Sequence, residues 1–260
     1  MTTISNYRLI SQNLERSLEQ TARQPTVQLE SEYYMKNIGK VTSADEFVDD
    51  TRLFNYAMRA HGLSDMSYAK AFMKKVLVEG IDNQQSFANS LADPRYREFA
   101  ETFNFDRYGD TAVVFDRAQQ GTVDKYVRQT LEEDSGAENE GVRLALYFQR
   151  KAPEVSSAFG LLADRALLKV TQVALGLSEQ TSSLPLDEQA ALIQDRLDVE
   201  DLKDPEKLDE LLNRFAAIWE IESPSTSVST SVPSLILSGP SVVTIGDGLL
   251  ASLQKLRIGG

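Results

Sequence analysis

The sequence runs to 260 residues, 42% of them hydrophobic, enough apolar side chain to bury a real core as one domain or two small ones. Its 39 acidic residues outnumber 27 basic ones for a formal charge of −12, so a phosphate-backbone footprint is absent and no nucleic-acid partner is expected. Cysteine is absent, which rules out disulfides, thiol catalysis and thiolate metal sites.

The opening residues lack a basic start followed by an apolar core, so no cleavable secretory signal is expected. From Ile4 to Ala22 the pattern is amphipathic. Ile4, Tyr7, Leu14 and Leu18 sit at steps of three and four with Ser11 breaking the seam, which suits a coiled-coil-like helix edge or an ordinary surface helix. Pro25 ends it, and a second helix is expected from Thr26 to Asn37 before a turn at Gly39.

The stretch from Tyr33 to Ser64 is then echoed 114 residues later, at Tyr147 to Ser178, with ten identities over 32 ungapped positions. Chance would supply roughly two. In each copy an aspartate (Asp50, Asp164) is placed to cap a helix that a glycine (Gly62, Gly176) stops. Between them Leu53, Phe54, Ala57, Ala60 and His61 form one helical stripe, matched by Leu167, Leu168, Thr171, Ala174 and Leu175.

Downstream of the first copy a helix is expected over Ser64–Glu79, with Tyr68, Ala69, Phe72, Val76 and Leu77 on its buried face. A short helix from Asp82 through Phe87 and Leu91 follows. Asp93-Pro94 is a cap plus first-turn proline opening a helix through Phe99 and Phe103. Val113 to Phe115 is too short to classify. A helix over Thr122–Asp134 leads through a polar patch, Glu132 to Glu140, into Val142–Lys151. After the second copy, Asp187 caps a helix through Leu192, Ile193 and Leu197, and Asp204-Pro205 answers Asp93-Pro94 ahead of Leu211 and Phe215. The expected fold is all-α: tandem duplicated helical units at 1–106 and 107–222, an amphipathic N-terminal helix, and a flexible C-terminal tail at 223–260.

That tail opens on a Ser/Thr-rich linker, Ser223 to Ser231. Val232 to Leu250 is apolar but interrupted by Pro233 and Pro240, so no membrane span is expected. Leu249, Leu250, Leu253 and Leu256 then present an apolar face that must be buried on the body or on a partner. With Ile4, Tyr7, Leu14 and Leu18 they are the candidate partner-binding residues.

Candidates for chemistry are weak. His61 is the only histidine and has Leu175 as its counterpart, which favours a structural role. Ser67-x-x-Lys70 and Ser252-x-x-Lys255 have a serine–lysine spacing without its companion signatures. The acidic clusters Asp45-Glu46/Asp49-Asp50 and Glu200-Asp201/Asp204 lack calcium-loop spacing and read as caps and solvated faces. Gly246-x-Gly248 lacks the rest of a nucleotide loop. No catalytic, cofactor or metal site is expected.

Four runs carry a family resemblance: Glu32-Tyr-Tyr-Met-Lys-Asn-Ile-Gly-Lys-Val, Ser67-Tyr-Ala-Lys-Ala-Phe-Met, Ser90-Leu-Ala-Asp-Pro-Arg-Tyr and Arg196-Leu-Asp-Val-Glu-Asp-Leu-Lys-Asp-Pro-Glu-Lys-Leu. Together they resemble a bacterial domain-of-unknown-function family whose members are often encoded among flagellar genes, some under flagellar labels. The resemblance implies a link to the flagellum and supplies no catalytic residues. The expectation is a non-enzymatic structural or assembly protein, exported without a cleaved signal to the flagellum or its base, with flagellar proteins as partners and self-association open. A cytosolic adaptor or chaperone-like regulator of flagellar assembly is the alternative.

Overall fold

The computed structural model describes residues 2–223, and these form helices and turns with no strand among them. In chain order the helices are α1 (Thr3–Gln12), α2 (Leu14–Ala22), α3 (Pro25–Ile38), α4 (Ala44–Asp49), α5 (Thr51–Ala60), α6 (Lys70–Glu79), α7 (Phe87–Ser90) and α8 (Pro94–Thr102). They continue as α9 (Phe105–Tyr108), α10 (Gln120–Glu138), α11 (Glu140–Lys151), α12 (Ala158–Ala163), α13 (Arg165–Leu175), α14 (Leu186–Gln194) and α15 (Pro205–Glu222).

Capping explains several of these boundaries. Asp50 and Asp164 each accept two amides of the helix that follows, Asp93 and Asp204 cap the two proline-initiated helices α8 and α15, and Ser43 caps α4. Gly62 and Gly176 follow α5 and α13 at φ 67° and 64°, the left-handed region that a Cβ disfavours. The expected stripe is buried throughout in α5 and the residue after it, and in α13 all but the half-buried Leu168 are buried. The local structure thus runs in parallel at the 114-residue offset: α4 and α12 have corresponding bounds, and α5 and α13 start at corresponding residues.

Buried apolar residues gather in two clusters. The first runs from Val27 to Val127 and is aromatic: Phe47 packs on Phe54, Phe99 and Phe103, while Tyr34, Tyr56 and Tyr126 stack with centroids 4.4 and 3.9 Å apart. The second comprises Tyr7 and residues from Val142 to Ala216, and is mostly aliphatic. Each fully buried Leu or Phe stabilises its cluster by roughly 1.5–3 kcal/mol before entropy is counted.

Some expectations need correction. The stretch Ile4–Ala22 is two helices broken at Asn13, because α1 packs on α11 and α15 in the second cluster while α2 packs on α10 beside the first. A continuous seam cannot serve two differently placed surfaces. Ser64–Glu79 is a 3-10 turn (Ser64–Met66) followed by α6, with Met73, Val76 and Leu77 buried and Tyr68 80% exposed. Ser67 Oγ donates to the Ser64 carbonyl at 2.8 Å and tightens the break. Only Phe87–Ser90 of the helix expected from Asp82 forms. The patch Glu132–Glu140 is mostly the last two turns of α10, and α14 starts at Leu186 with Pro185, not Asp187, at its cap. Leu211 is only partly buried, and Leu208 and Leu212 take the core positions beside Phe215. No helix of the described residues is long and apolar enough to cross a membrane.

The N-terminus is knitted to the second cluster. Thr3 donates through its amide and hydroxyl to Glu220 at 2.8 and 2.6 Å, and Asn139 Nδ2 donates to Thr3 Oγ1 at 3.0 Å. A Cβ on Gly141 would overlap the Trp219 indole and the Thr3 methyl, so only glycine lets α1, α11 and α15 meet this closely.

A charged cleft between the two cores

Where the two clusters face each other, a cleft of about 940 Å³ opens, within the usual range of small-molecule sites. The end of α5, the helix α8 and the middle of α10 line one side, and α11 with the α12–α13 junction lines the other. Seven arginines and lysines and six carboxylates line it, a positive balance in a chain whose overall charge is −12.

Most of these charges hold one another. Lys151 Nζ donates to both oxygens of Glu98 at 2.7 Å and to Glu154 at 3.2 Å. Arg95 is paired with Asp93, the α8 cap. Arg150 reaches behind the cleft to Glu132, donating through Nε and Nη2 at 2.9 and 2.8 Å. Glu132 is 1% exposed and also accepts from Arg128 Nε at 2.8 Å, while Arg128 Nη2 donates to the Leu146 carbonyl. This buried Arg128–Glu132–Arg150 triad ties α10 to α11. Sequence reading placed Glu132 in a polar patch; its one signal was position, four residues after Arg128 on the same helical face.

Besides the exposed Arg165, two partly buried cations are different. Among the described residues, Lys125 and Arg117 have no carboxylate at ion-pair distance, and both converge on Thr102. Lys125 Nζ donates to Thr102 Oγ1 at 3.4 Å and Arg117 Nε to the Thr102 carbonyl at 3.3 Å. Arg117 is held over the rings of Tyr108 and Phe115, 5.0 and 4.7 Å from their centroids, and its Nη2 is buried without a partner. Burial pulls the Lys125 ammonium below the ordinary lysine value; Glu98 opposes this and Lys151 and Arg150 add to it.

His61 lies at this end of the cleft. Its ring stands edge-on to Phe99 at 5.3 Å, and both nitrogens are buried with no partner among the described residues. Burial, reinforced by Lys125, Lys151 and Arg150, holds its pKa well below 6.5, so the imidazole is neutral at pH 7.

The other sequence candidates lie apart from the cleft. Ser67 and Lys70 do not pair: Ser67 donates to the Ser64 carbonyl, and Lys70 Nζ donates to Thr51 Oγ1 at 3.1 Å. In the first acidic cluster Asp50 is a helix cap, Asp45 pairs with Lys74, and Glu46 accepts from the Thr42 amide and hydroxyl. In the second, Asp204 is a cap, Glu200 meets Lys203 and Asp201 meets Lys207. Among the described residues no group of acids and histidine is placed to hold a metal.

Of the partner-binding candidates, Tyr7 is fully buried in the second cluster of its own chain and offers a partner nothing. Ile4 packs partly against the same cluster and Leu18 against the first, and Leu14 is half-buried. Leu249, Leu250, Leu253 and Leu256 lie outside the described residues, as do Ser252, Lys255 and the Gly246–Gly248 turn.

Comparison with known proteins places the chain among relatives. A family model described as "Protein of unknown function (DUF1217)" matches residues 60–208. No curated protein matches. Among solved structures, the crystal structure of protein AGR_C_984 from Agrobacterium tumefaciens is similar, at 48% identity and a TM-score of 0.80 over 85% of this chain and 94% of that one.

Proposed function

The chain belongs to the DUF1217 family of proteins of unknown function, and from that premise we propose that it is a non-enzymatic structural or assembly protein of the bacterial flagellum, acting through helical protein–protein contacts. The observation that carries the reading is a division of labour along the chain. Residues 7–216 supply both buried clusters, while the segment beyond Ser223 still holds Leu249, Leu250, Leu253 and Leu256 at helical steps. Burying those leucines on a partner would be favourable at roughly 25 cal/mol per Å² of apolar area, less the ordering cost. The flagellar assignment itself rests on the family resemblance in the sequence.

A binding role is further supported by how the polar side chains are spent. Ser67 and Lys70 serve separate turns, and the acidic clusters serve caps and surface pairs. The expected partners are flagellar proteins, and the expected location is the flagellum or its base. Immunoblotting of purified flagella and culture supernatant, with and without a working flagellar export apparatus, tests this. The protein should appear in both fractions and vanish from them when export is blocked. Retention in the cell extract of motile cells would favour a cytosolic adaptor instead.

A further inference from the structure

We propose that the cleft between the two cores binds a small phosphate-bearing molecule, with the dianionic group seated by Lys125 and Arg117 over Thr102 and His61.

The charge arrangement carries this. Apart from the exposed Arg165, the other cations lining the cleft are answered: Lys151 by Glu98 and Glu154, Arg150 by Glu132, Arg95 by Asp93 and Arg143 by Glu140. Lys125 and Arg117 both reach Thr102, one at its hydroxyl and one at its carbonyl, and neither has a carboxylate at ion-pair distance among the described residues. Lys125 has lost part of its hydration and is repelled by Lys151 and Arg150, a cost that a bound anion would relieve. A chain with 39 acids to draw on leaves this pair unanswered, which is the pattern of a site completed by something outside the chain.

The unanswered charge is two, and a phosphate monoester or free phosphate brings close to two at neutral pH. Lysine acts on such a group as a point charge and arginine as a planar donor, and charge-assisted bonds of this kind are the strong ones. Arg117 is fixed for the purpose by the two rings it covers, with one guanidinium nitrogen left without a partner. His61, neutral and buried near Lys125, holds a ring N–H without a partner. The remaining space, in a cleft of about 940 Å³, suits a metabolite body and is several times what a bare ion needs. This inference is independent of the flagellar assignment.

The test uses the full-length protein, titrated by calorimetry with inorganic phosphate, glucose 6-phosphate and succinate against chloride at matched ionic strength. His61 is the only histidine, so its imidazole resonances report on this one place. Saturable binding of a phosphate probe is expected, with the His61 signals moving at the same midpoint. Glucose 6-phosphate binding more tightly than phosphate assigns the site to a phosphorylated metabolite, and equal binding assigns it to free phosphate. Lys125→Met and Arg117→Gln should each weaken binding about tenfold or more, the effect of losing one charge-assisted bond. Lys36→Met, on the exposed face of α3, should change nothing. The proposal is overturned if wild-type protein shows no saturable phosphate binding, if His61 stays still at saturation, or if succinate binds as well as phosphate. Wild-type affinity in folded Lys125→Met and Arg117→Gln also overturns it, and should either variant fail to fold the wild-type titration still decides.

Discussion

Tyr147 donates its hydroxyl to Asp164 Oδ2 at 2.6 Å, and the other oxygen of the same carboxylate caps α13 by accepting from Ala166 and Leu167 at 2.8 and 3.1 Å. The equivalent residues in the first copy, Tyr33 and Asp50, keep the cap but meet at only 3.5 Å, with Arg52 lying 3.8 Å over the Tyr33 ring. Asp164 therefore does two jobs where Asp50 does mainly one. Asp50→Ala should cost about 1–2 kcal/mol, the usual loss of a cap. Asp164→Ala should cost about 2–4 kcal/mol, because it also strands a mostly buried phenol. Urea unfolding of the two variants measures the gap, and equal losses would show that the Tyr147 bond adds nothing.

The triad predicts a steeper effect. Removing Glu132 leaves Arg128 and Arg150 without their shared partner in the wall between α10 and α11. Breaking one member of a buried ion group typically costs about 3–5 kcal/mol, so Glu132→Ala should approach the limit of what a domain of this size tolerates. Glu19→Ala, which breaks the exposed Arg23–Glu19 pair, should stay within about 0.5 kcal/mol. The comparison checks burial as the cause, since both acids sit four residues from their arginines.

His61 supplies a pH signature. The folded chain holds the imidazole neutral well below pH 6.5, whereas in the unfolded chain it takes up a proton near that value. The unfolded state then binds more protons, so stability falls as pH drops below 6.5 and continues to fall until the folded pKa is reached. With a single histidine the slope is bounded at about 1.4 kcal/mol per pH unit. Urea midpoints at pH 7.5, 6.5 and 5.5 should show a small loss in the upper step and a larger one in the lower. His61→Leu, the residue its counterpart uses, should flatten the lower step and change stability by about 1–2 kcal/mol or less at pH 7.5. A wild-type protein equally stable at 5.5 and 7.5 would mean that the imidazole charges without cost inside the fold.

The helical class, the caps at Asp50, Asp93, Asp164 and Asp204, and the stripe from Leu53 to His61 were all legible because each is written within one or two turns of chain. The break at Asn13 was not, since it depends on α1 and α2 finding different neighbours. Tyr68 was misread for a related reason: its spacing fits the α6 face, but the helix begins two residues later. Glu132 read only as part of a polar patch because Arg150, its bidentate partner, arrives from α11. The cleft is the extreme case. Lys125, Arg117, Thr102 and His61 come from four separate stretches, and nothing in the spacing of any one of them announces the others.

The two ends of the chain make the last prediction. The described body closes its own cores with residues 7–216, and α1 is bound in by Thr3, Asn139 and Glu220. The apolar run Leu249–Leu256 is short, and a helix of that length is marginal alone in water because nucleation fixes several residues for one hydrogen bond. A chain truncated after Ser223 should therefore keep its helical circular dichroism and its cooperative unfolding. Under the proposed function it should at the same time lose partner binding and flagellar incorporation. Deleting residues 1–13 instead should destabilise the body, because it withdraws Tyr7 from the second core, and large-to-small changes at such sites cost about 3–5 kcal/mol. If the truncated protein unfolds, the tail belongs to the core of its own chain; if it folds and still supports motility, the docking role of Leu249, Leu250, Leu253 and Leu256 is wrong.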